Sequence, residues 1–205
     1  MKKMQNAELL ERVFEAQQAH FQTRPPVLQL FVFEKGELLT HPFKPLDRFL
    51  LIIEGNITIY DLSHDGSVRY ISCVGCGHLL GDMEFSGAKS QTFYTEAADR
   101  VLCLSIPYRE NRSALENDPA FLRFVLQQLA GKLSLSSAMY ATAQTLEEKV
   151  LFYLRKIQPS HEICSVNKAM QMLHCSRRQL QRVLKKLCDE GTLVKTKRGN
   201  YRLKE

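Results

Sequence analysis

Residues 175–198 read CSRRQLQRVLKKLCDEGTLVKTKR, and this stretch predicts a capped helix followed by a basic strand. Ser176 stands at the position of a helix N-cap, and Gln179 three residues later completes a capping box. Leucine and valine then recur at positions 180, 183, 184 and 187, which is the spacing of one buried helix face. Gly191 predicts the end of this helix, because glycine is the preferred residue at a left-handed C-terminus.

A shorter helix precedes this one, and a hairpin follows it. Ser165 caps the segment VNKAMQML, His174 and Cys175 turn the chain, and TLVKTKRGNYRLK predicts two strands around Gly199. Helix, turn, helix and two-stranded wing follow one another in the order of a winged helix–turn–helix, in which the second helix enters the DNA major groove.

Charge is unevenly distributed along the chain. Residues 141–205 carry fourteen Lys and Arg against six Asp and Glu, whereas residues 1–140 carry fourteen against sixteen. The basic excess therefore belongs to the segment with the predicted helix–turn–helix. This asymmetry favours a C-terminal nucleic-acid module attached to a near-neutral partner domain.

The first turn of the capped helix carries side chains of the kind that read base edges. Arginine can bond guanine O6 and N7 together, and glutamine can bond adenine N6 and N7. Further basic residues would contact phosphates, which gives affinity without sequence information. A solvated helix face is the alternative, but the combination with a basic wing favours double-stranded DNA as the partner. The predicted DNA-binding residues are Ser176, Arg177, Arg178, Gln179, Arg182, Lys185, Lys195, Lys197 and Arg198.

The upstream residues predict a helix, a β-rich region and a long second helix. Residues 6–21 have apolar positions at helical spacing, and residues 27–106 alternate short β-type runs with turn residues, typical of a small antiparallel barrel or sandwich. Asp118 and Pro119 predict the start of the long helix. Thr145, with Glu148 three residues later, predicts a capping box that opens a further helix from Leu146 to Ile157. We therefore expect domains at 1–117, 118–144 and 145–205, the middle one being the long helix.

The long helix has two different faces. Steps of four and three residues alternate along one apolar stripe, as in a coiled coil, and predict a homodimer. Three neighbouring apolar residues, Phe121, Phe124 and Val125, are expected to pack on the chain's own β-domain instead. The predicted dimer interface consists of Leu122, Leu126, Leu129, Leu133, Ser136 and Tyr140.

Four segments in the same order resemble the cyclic-AMP receptor protein / fumarate-nitrate regulator (Crp/Fnr) family of bacterial transcription regulators. CSRRQLQRVLKKLCDEGTLV resembles its winged helix–turn–helix, VFEKGELL (32–39) and LLIIEGNITIY (50–60) its β-roll signatures, and LLGDMEF (79–85) its Gly-Glu-Leu motif. A weaker resemblance is to the YeiL-like subgroup. The resemblance implies an α+β chain with an N-terminal double-stranded β-helix (a cyclic-nucleotide-binding-like jelly roll), a long dimerisation helix and a C-terminal winged helix-turn-helix. It also implies a palindromic operator, and RNA polymerase as a partner if the protein activates transcription.

Two residues depart from the family pattern at the DNA-binding segment. His174 stands where the family usually has a left-handed glycine, a conformation that histidine tolerates better than most residues. Arg178 stands where many members have a glutamate that reads cytosine. Because arginine cannot accept a hydrogen bond, we expect a different preference at the corresponding base pair.

The resemblance also implies an effector pocket. The family's cassette combines a Gly-Glu pair that holds ribose with an Arg-Ser or Arg-Thr pair that holds phosphate; the residues here are Gly81–Asp82 and Lys89–Ser90. Lysine offers a point charge instead of the bidentate fork of arginine. We therefore expect cyclic AMP to bind weakly or not at all, and favour another small molecule or control without a ligand. The predicted pocket residues are Gly81, Asp82, Met83, Lys89, Ser90, Ser136 and Ser137.

The cysteines suggest a second possible sensor site, separate from the effector pocket. Cys73 and Cys76 form a CxxC motif followed closely by His78, and Cys103 lies on a later strand expected to be adjacent. Iron–sulfur sites usually need four cysteine ligands, and cluster-binding family members place most of theirs before the β-roll, where this chain has none. Structural thiols are favoured over redox, cluster, haem or metal binding. No definite cofactor is predicted, and an unidentified small-molecule effector stays open.

Composition excludes several other classes. No apolar run approaches the roughly 18 residues of a membrane helix, and the N-terminus lacks a signal-peptide apolar region. We therefore expect a cytoplasmic protein with reduced cysteines and no membrane partner. An enzyme of cupin-like fold is disfavoured, because His41, His64 and His78 lack the tight HxH spacing of its metal site. The remaining alternative is a β-roll small-molecule or redox-sensing protein that acts through a protein partner without binding DNA; the basic first turn argues against it.

Overall fold

The computed structural model describes residues 1–41, 43–62, 68–87, 93–141, 145–158, 160–173, 175–197 and 199–204, with the main chain alone at 135, 136, 138–141 and 156. The strands are β1 (Lys2–Met4), β2 (Gln29–Phe33), β3 (Leu38–Thr40), β4 (Arg48–Glu54), β5 (Ile57–Leu62), β6 (Val68–Val74), β7 (Leu79–Leu80), β8 (Tyr94–Ala97), β9 (Val101–Pro107), β10 (Glu162–Ile163), β11 (Leu193–Lys197) and β12 (Asn200–Leu203). The α-helices are α1 (Ala7–Gln17), α2 (Asp82–Phe85), α3 (Tyr108–Glu116), α4 (Pro119–Ala141), α5 (Leu146–Phe152), α6 (Val166–Met172) and α7 (Arg177–Asp189).

The chain divides into two compact units. The first joins residues 1–59 to residues 75–133, and the second joins residues 60–74 to residues 134–205. The division runs through β5, so β6 is grouped with the C-terminal residues. The domain boundaries expected from the sequence, after residues 117 and 144, stay predictions.

Two sheets organise the N-terminal half of the chain. One has the strand order β1-β2-β9-β4-β7, and the other has the order β3-β8-β5-β6. Strand β9 is buried along its whole length, and it pairs antiparallel with β2 on one side and β4 on the other. The core beneath it includes Phe49, Leu51 and Leu104, and the first turns of α4 add Phe121, Phe124 and Val125 as predicted. The jelly-roll fold expected from the sequence is confirmed.

The start of α4 is fixed by one carboxylate. Asp118 Oδ1 accepts from the Phe121 backbone N–H at 3.0 Å, and Oδ2 accepts from the backbone N–H groups of Gln22 and Thr23 at 2.8 and 3.0 Å. Burial raises the pKa of Asp118, but these hydrogen bonds outweigh it and hold the pKa below its ordinary value. The predicted N-cap is confirmed, and it also anchors the segment before β2.

The second unit contains the predicted winged helix–turn–helix. Helices α5, α6 and α7 are followed by β11 and β12, which pair with β10 in the order β10-β12-β11. Both predicted capping boxes are present, at Thr145 and at Ser176, and Gly191 ends α7 with a φ of +75°. The predicted stripe of α7 is buried at Leu180, Val183, Leu184 and Leu187.

Several elements differ from the sequence-based expectation. The N-terminal residues form β1 at the edge of β2, although KKM has no strand pattern of its own. The helix predicted to run from Leu146 to Ile157 changes at Tyr153 into a π-helical turn (Tyr153–Ile157). Among the described helices, none combines the length and the apolar character needed to cross a lipid bilayer.

Candidate nucleic-acid interface and effector region

The first turn of α7 is closed by a reciprocal capping box. Ser176 Oγ accepts from the Gln179 backbone N–H at 3.3 Å. In return, Gln179 Oε1 accepts from the Ser176 backbone N–H at 2.9 Å and from the Ser176 hydroxyl at 2.8 Å. The box satisfies two donors that a helix N-terminus otherwise leaves unpaired. The amide oxygen of Gln179 is therefore committed to the helix, although the side chain is exposed.

A second hydrogen bond joins the two helices of the helix–turn–helix. The Arg177 guanidinium donates from Nη2 to Asn167 Oδ1 at 2.5 Å, and both side chains are exposed. Asn167 lies in α6, so the bond positions the first arginine of α7 from the neighbouring helix. Sequence reasoning did not find this partner, because only the turn geometry brings the two residues together.

The outer face of α7 carries cations without carboxylate partners. Arg178, Arg182 and Lys185 follow one another at steps of four and three, so they share the face opposite the buried stripe. All three are exposed, and within the described part of the chain no carboxylate oxygen lies within 4.0 Å of them. Lys186 differs, because its Nζ lies 2.6 Å from Glu147 Oε2 and 3.6 Å from Glu190 Oε1.

The wing supplies further positive charge. Lys195 and Lys197 are exposed on β11, with a register shift between them opposite β12. Between them, the Thr196 hydroxyl donates to Glu162 Oε1 at 2.7 Å and ties the wing to β10. Arg198, also predicted to bind DNA, lies outside the described residues.

The predicted ribose-binding residues lie between β7 and α2. Gly81 has a φ of +94°, and a Cβ there would meet Arg48 O at 2.5 Å, so the position requires glycine. Asp82 follows, with its side chain only 3% exposed. Its carboxylate accepts from Lys132 Nζ at 2.8 Å on Oδ1 and at 2.7 Å on Oδ2, and the same ammonium donates to Leu79 O at 2.7 Å. A side chain of α4 thus occupies the carboxylate predicted to hold an effector.

Lys132 is not among the residues predicted for the pocket, although the sequence contains a signal for it. Gln128 and Lys132 are polar residues that continue the inward stripe begun by Val125, at steps of three and four. Gln128 Oε1 accepts from the Leu79 backbone N–H at 3.2 Å, and its Nε2 donates to Gly77 O at 3.1 Å. Polar residues on an otherwise buried helix face indicate partners of this kind.

His78 lies near Lys132 in an environment that disfavours protonation of its imidazole ring. Burial, and secondly the positive charge of Lys132, lower the pKa of His78 to about 3. Its Nε2 is buried and has no hydrogen-bond partner in the described part of the chain. His78 is therefore a neutral imidazole at physiological pH.

The other predicted pocket residues are only partly described. Met83 is exposed on α2, and Ser137 is exposed on α4. Lys89 and Ser90 lie outside the described residues, as does the side chain of Ser136. The structure therefore brings Gly81, Asp82 and Met83 together at one turn and leaves the predicted phosphate contact untested.

The predicted dimer stripe on α4 is partly open. Leu126 and Leu133 are 65% and 69% exposed, whereas Leu122 and Leu129 are half-buried. Leu129 also packs against the core of its own unit. The side chains of Ser136 and Tyr140 are not among those described.

The cysteine arrangement corrects one expectation. Cys103 lies on β9, whose neighbours are β2 and β4, whereas Cys73 lies on β6 in the other sheet. The expectation that these strands are adjacent is wrong, because β9 and β6 are not in the same sheet. Burial raises the pKa of Cys103 to about 12, while Cys76 is exposed. Within the described ranges, no three His, Cys, Asp or Glu side chains are grouped as metal ligands.

The sequence and the fold of this chain are similar to those of known transcription regulators. Residues 30–118 match the family model of the cyclic nucleotide-binding domain. The cAMP-activated global transcriptional regulator CRP of Haemophilus influenzae is 20% identical over 204 residues, spanning 90% of this chain and 91% of that protein. The solved structure of FixK2 from Bradyrhizobium japonicum has a TM-score of 0.71 at 18% identity, over 87% of this chain and 93% of that one. The c-di-GMP responsive global regulator CLP of Xanthomonas campestris has a TM-score of 0.65 at 18% identity, over 95% and 99%.

Proposed function

We propose that the chain binds a specific DNA operator as a dimer, because residues 30–118 match the cyclic nucleotide-binding domain and the chain resembles a cAMP-activated transcriptional regulator over most of its length. The Haemophilus influenzae relative is a transcriptional regulator, which supports a regulatory rather than a catalytic role. The second helix of the helix–turn–helix, α7, is the element that would enter the major groove.

The observation that carries this proposal is the uncompensated positive face of α7. Arg178, Arg182 and Lys185 repel one another within two turns, and no carboxylate in the described part of the chain relieves them. Such a face gains from phosphates, since each neutralised phosphate releases condensed counterions. Lys195 and Lys197 on the wing, with Arg198, would contact the flanking phosphates.

Base reading is assigned to the first turns of α7. Arg177 stands at the position of the family's guanine-reading arginine, and it would bond guanine through the guanidinium edge left free by Asn167. Arg178 and Arg182 would read guanine or contact phosphate, while Ser176 and Gln179 fix the turn.

Dimerisation is assigned to the open stripe of α4. Leu126 and Leu133 stand one heptad apart and are the most exposed of the four leucines in that stripe. Two copies packed along this stripe would present two α7 helices to one side of the duplex. The half-sites would then be about 34–36 Å apart, centre to centre.

The effector is proposed not to be cyclic AMP. The Haemophilus influenzae relative is cAMP-activated and the Xanthomonas campestris protein is c-di-GMP responsive, so this fold accompanies more than one ligand. Here Lys132 donates to both oxygens of the Asp82 carboxylate that would receive the ribose hydroxyl, and the Met83 backbone N–H donates to Oδ1 as well. A ribose hydroxyl bound there would compete with a half-buried ammonium for the carboxylate, and no resident metal or cofactor is proposed.

Selection of binding sites from random double-stranded DNA tests the function. The full-length protein should recover a two-fold symmetric sequence. Arg177→Ala should weaken binding to that sequence by about 1–3 kcal/mol and relax the preference at one base pair. Lys197→Ala should weaken all sequences alike and lower the salt slope by about one unit. Equal loss of specificity from both variants, or no selected sequence, would contradict the assignment.

A further inference from the structure

Two side-chain amides at the DNA-facing turn are held in one orientation. Gln179 Oε1 faces the Ser176 backbone N–H, which can only donate, and Asn167 Oδ1 faces the Arg177 guanidinium, which also can only donate. If the amide nitrogen stood in place of either oxygen, two hydrogen-bond donors would face each other without an acceptor. The oxygens are therefore turned toward the protein, and among the described residues neither Gln179 Nε2 nor Asn167 Nδ2 has a hydrogen-bond partner.

Most of the side-chain groups that remain unpaired at this turn are hydrogen-bond donors. Arg177, Arg178 and Arg182 have no acceptor atom in their side chains. The Ser176 hydroxyl already donates to Gln179 Oε1 and accepts from the Gln179 backbone N–H. Together with the two amide nitrogens, these groups make the turn rich in donors, and the acceptor capacity that remains there is one lone pair on Ser176 Oγ and one on Asn167 Oδ1.

We propose that Gln179 is a specificity-determining residue whose amide offers DNA only its N–H donors, so that the base pair beneath it presents guanine. This inference rests on the proposed function. Guanine presents two adjacent acceptors, N7 and O6, in the major groove, whereas adenine presents the N7 acceptor beside the N6 donor. The paired contact between glutamine and adenine requires the oxygen that the capping box holds.

Reading adenine through Gln179 would break the capping box. The Ser176 backbone N–H would lose its acceptor, which corresponds to about a fivefold loss in affinity. Reading guanine leaves the cap intact. Gln181, two residues further on, is exposed and is not held in this way, so it serves as the matched position.

The test is selection from random double-stranded DNA with the full-length protein and three variants. The unaltered chain should select guanine at one position of each half-site, and Gln179→Ala should relax that position by about fivefold. Gln179→Glu keeps an oxygen for the capping box but has no donor, so it should replace guanine there by a base pair that offers a donor. Gln181→Glu introduces the same charge on the same helix and should weaken binding while keeping guanine.

The outcomes separate this inference from the function on which it rests. A selected sequence with adenine at the position that Gln179→Ala relaxes would overturn the inference and leave the DNA-binding function intact. A selected sequence that Gln179→Ala leaves unchanged would overturn it equally. If the unaltered chain selects no sequence, the proposed function fails and this inference fails with it.

Discussion

Replacing Lys132 by methionine should destabilise the N-terminal unit. Methionine keeps most of the length and apolar stem of the lysine side chain, so the substitution removes mainly the ammonium. That ammonium donates to both oxygens of Asp82 and to Leu79 O, at 2.7–2.8 Å. The variant therefore leaves a buried carboxylate without its cation and a backbone carbonyl without its donor.

The expected cost follows from how far each partner is buried. Breaking one side of a fully buried ion pair costs about 3–5 kcal/mol. The Asp82 side chain is 3% exposed, but the Lys132 side chain is 30% exposed, so water can partly replace the lost ammonium. We expect a loss of about 2–3 kcal/mol in the free energy of unfolding, which lowers Tm by about 10 °C for a unit of this size.

Urea and thermal unfolding, followed by circular dichroism, measure this change. Arg123→Met is the matched control, since Arg123 is an exposed cation on the same helix, α4. A double-mutant cycle with Asp82→Asn isolates the pair: the double variant should be clearly more stable than the sum of the two losses predicts, because it leaves no unpaired charge.

Two results would refute the reasoning. A Lys132→Met variant within about 0.5 kcal/mol of the unaltered chain would show that the ammonium is not needed beside Asp82. Additive losses in the cycle would show that the two side chains do not interact. Either result would also remove the argument that Lys132 blocks the ribose position.

Three further predictions address the dimer, the ligand and acid stability. Leu133→Glu should shift the protein toward monomer in analytical ultracentrifugation, because like charges would meet in the stripe. Phe43→Glu, which changes another exposed apolar residue, should leave the dimer intact. A Leu133→Glu variant that stays fully dimeric would refute the interface. Calorimetric titration with cyclic AMP should give no binding in the micromolar range, and micromolar affinity would overturn the proposed effector assignment. The pKa of His78 is lowered to about 3, so between about pH 6.5 and pH 3 the unfolded chain binds a proton that the folded chain does not. The free energy of unfolding should therefore fall as the pH falls, by up to about 1.4 kcal/mol per pH unit. In urea unfolding at pH 7 and pH 5, His78→Gln should flatten this slope, whereas His41→Gln should keep it.

The elements that the sequence predicted correctly are those with local causes. The caps at Asp118, Thr145 and Ser176 follow from side chains that bond to backbone groups three residues away. The buried stripe of α7 follows from helical periodicity alone. These contacts lie within one or two turns, so the order of residues along the chain is enough to predict them.

The features that the sequence did not predict depend on partners far along the chain. Lys132 and Asp82 are 50 residues apart, and only the packing of α4 against β7 and α2 joins them. Strand β1 forms because β2 offers a free edge some thirty residues later, not because KKM favours a strand. The bond from Arg177 to Asn167 likewise depends on how the turn between α6 and α7 is closed.

The two candidate sites differ in how easily their internal bonds can be exchanged for a ligand. At α7, the bonds that hold Gln179 and Arg177 lie at exposed side chains, where each is worth about 1 kcal/mol. At the β-roll, the bond between Lys132 and Asp82 lies at a nearly buried carboxylate and costs several times as much to break. Loss of either bond at α7 therefore lowers affinity by only about fivefold, which is enough to favour one base over another. Displacement of Lys132 from Asp82 costs more than a ligand of modest affinity provides, so we expect this ion pair to persist when a ligand binds nearby.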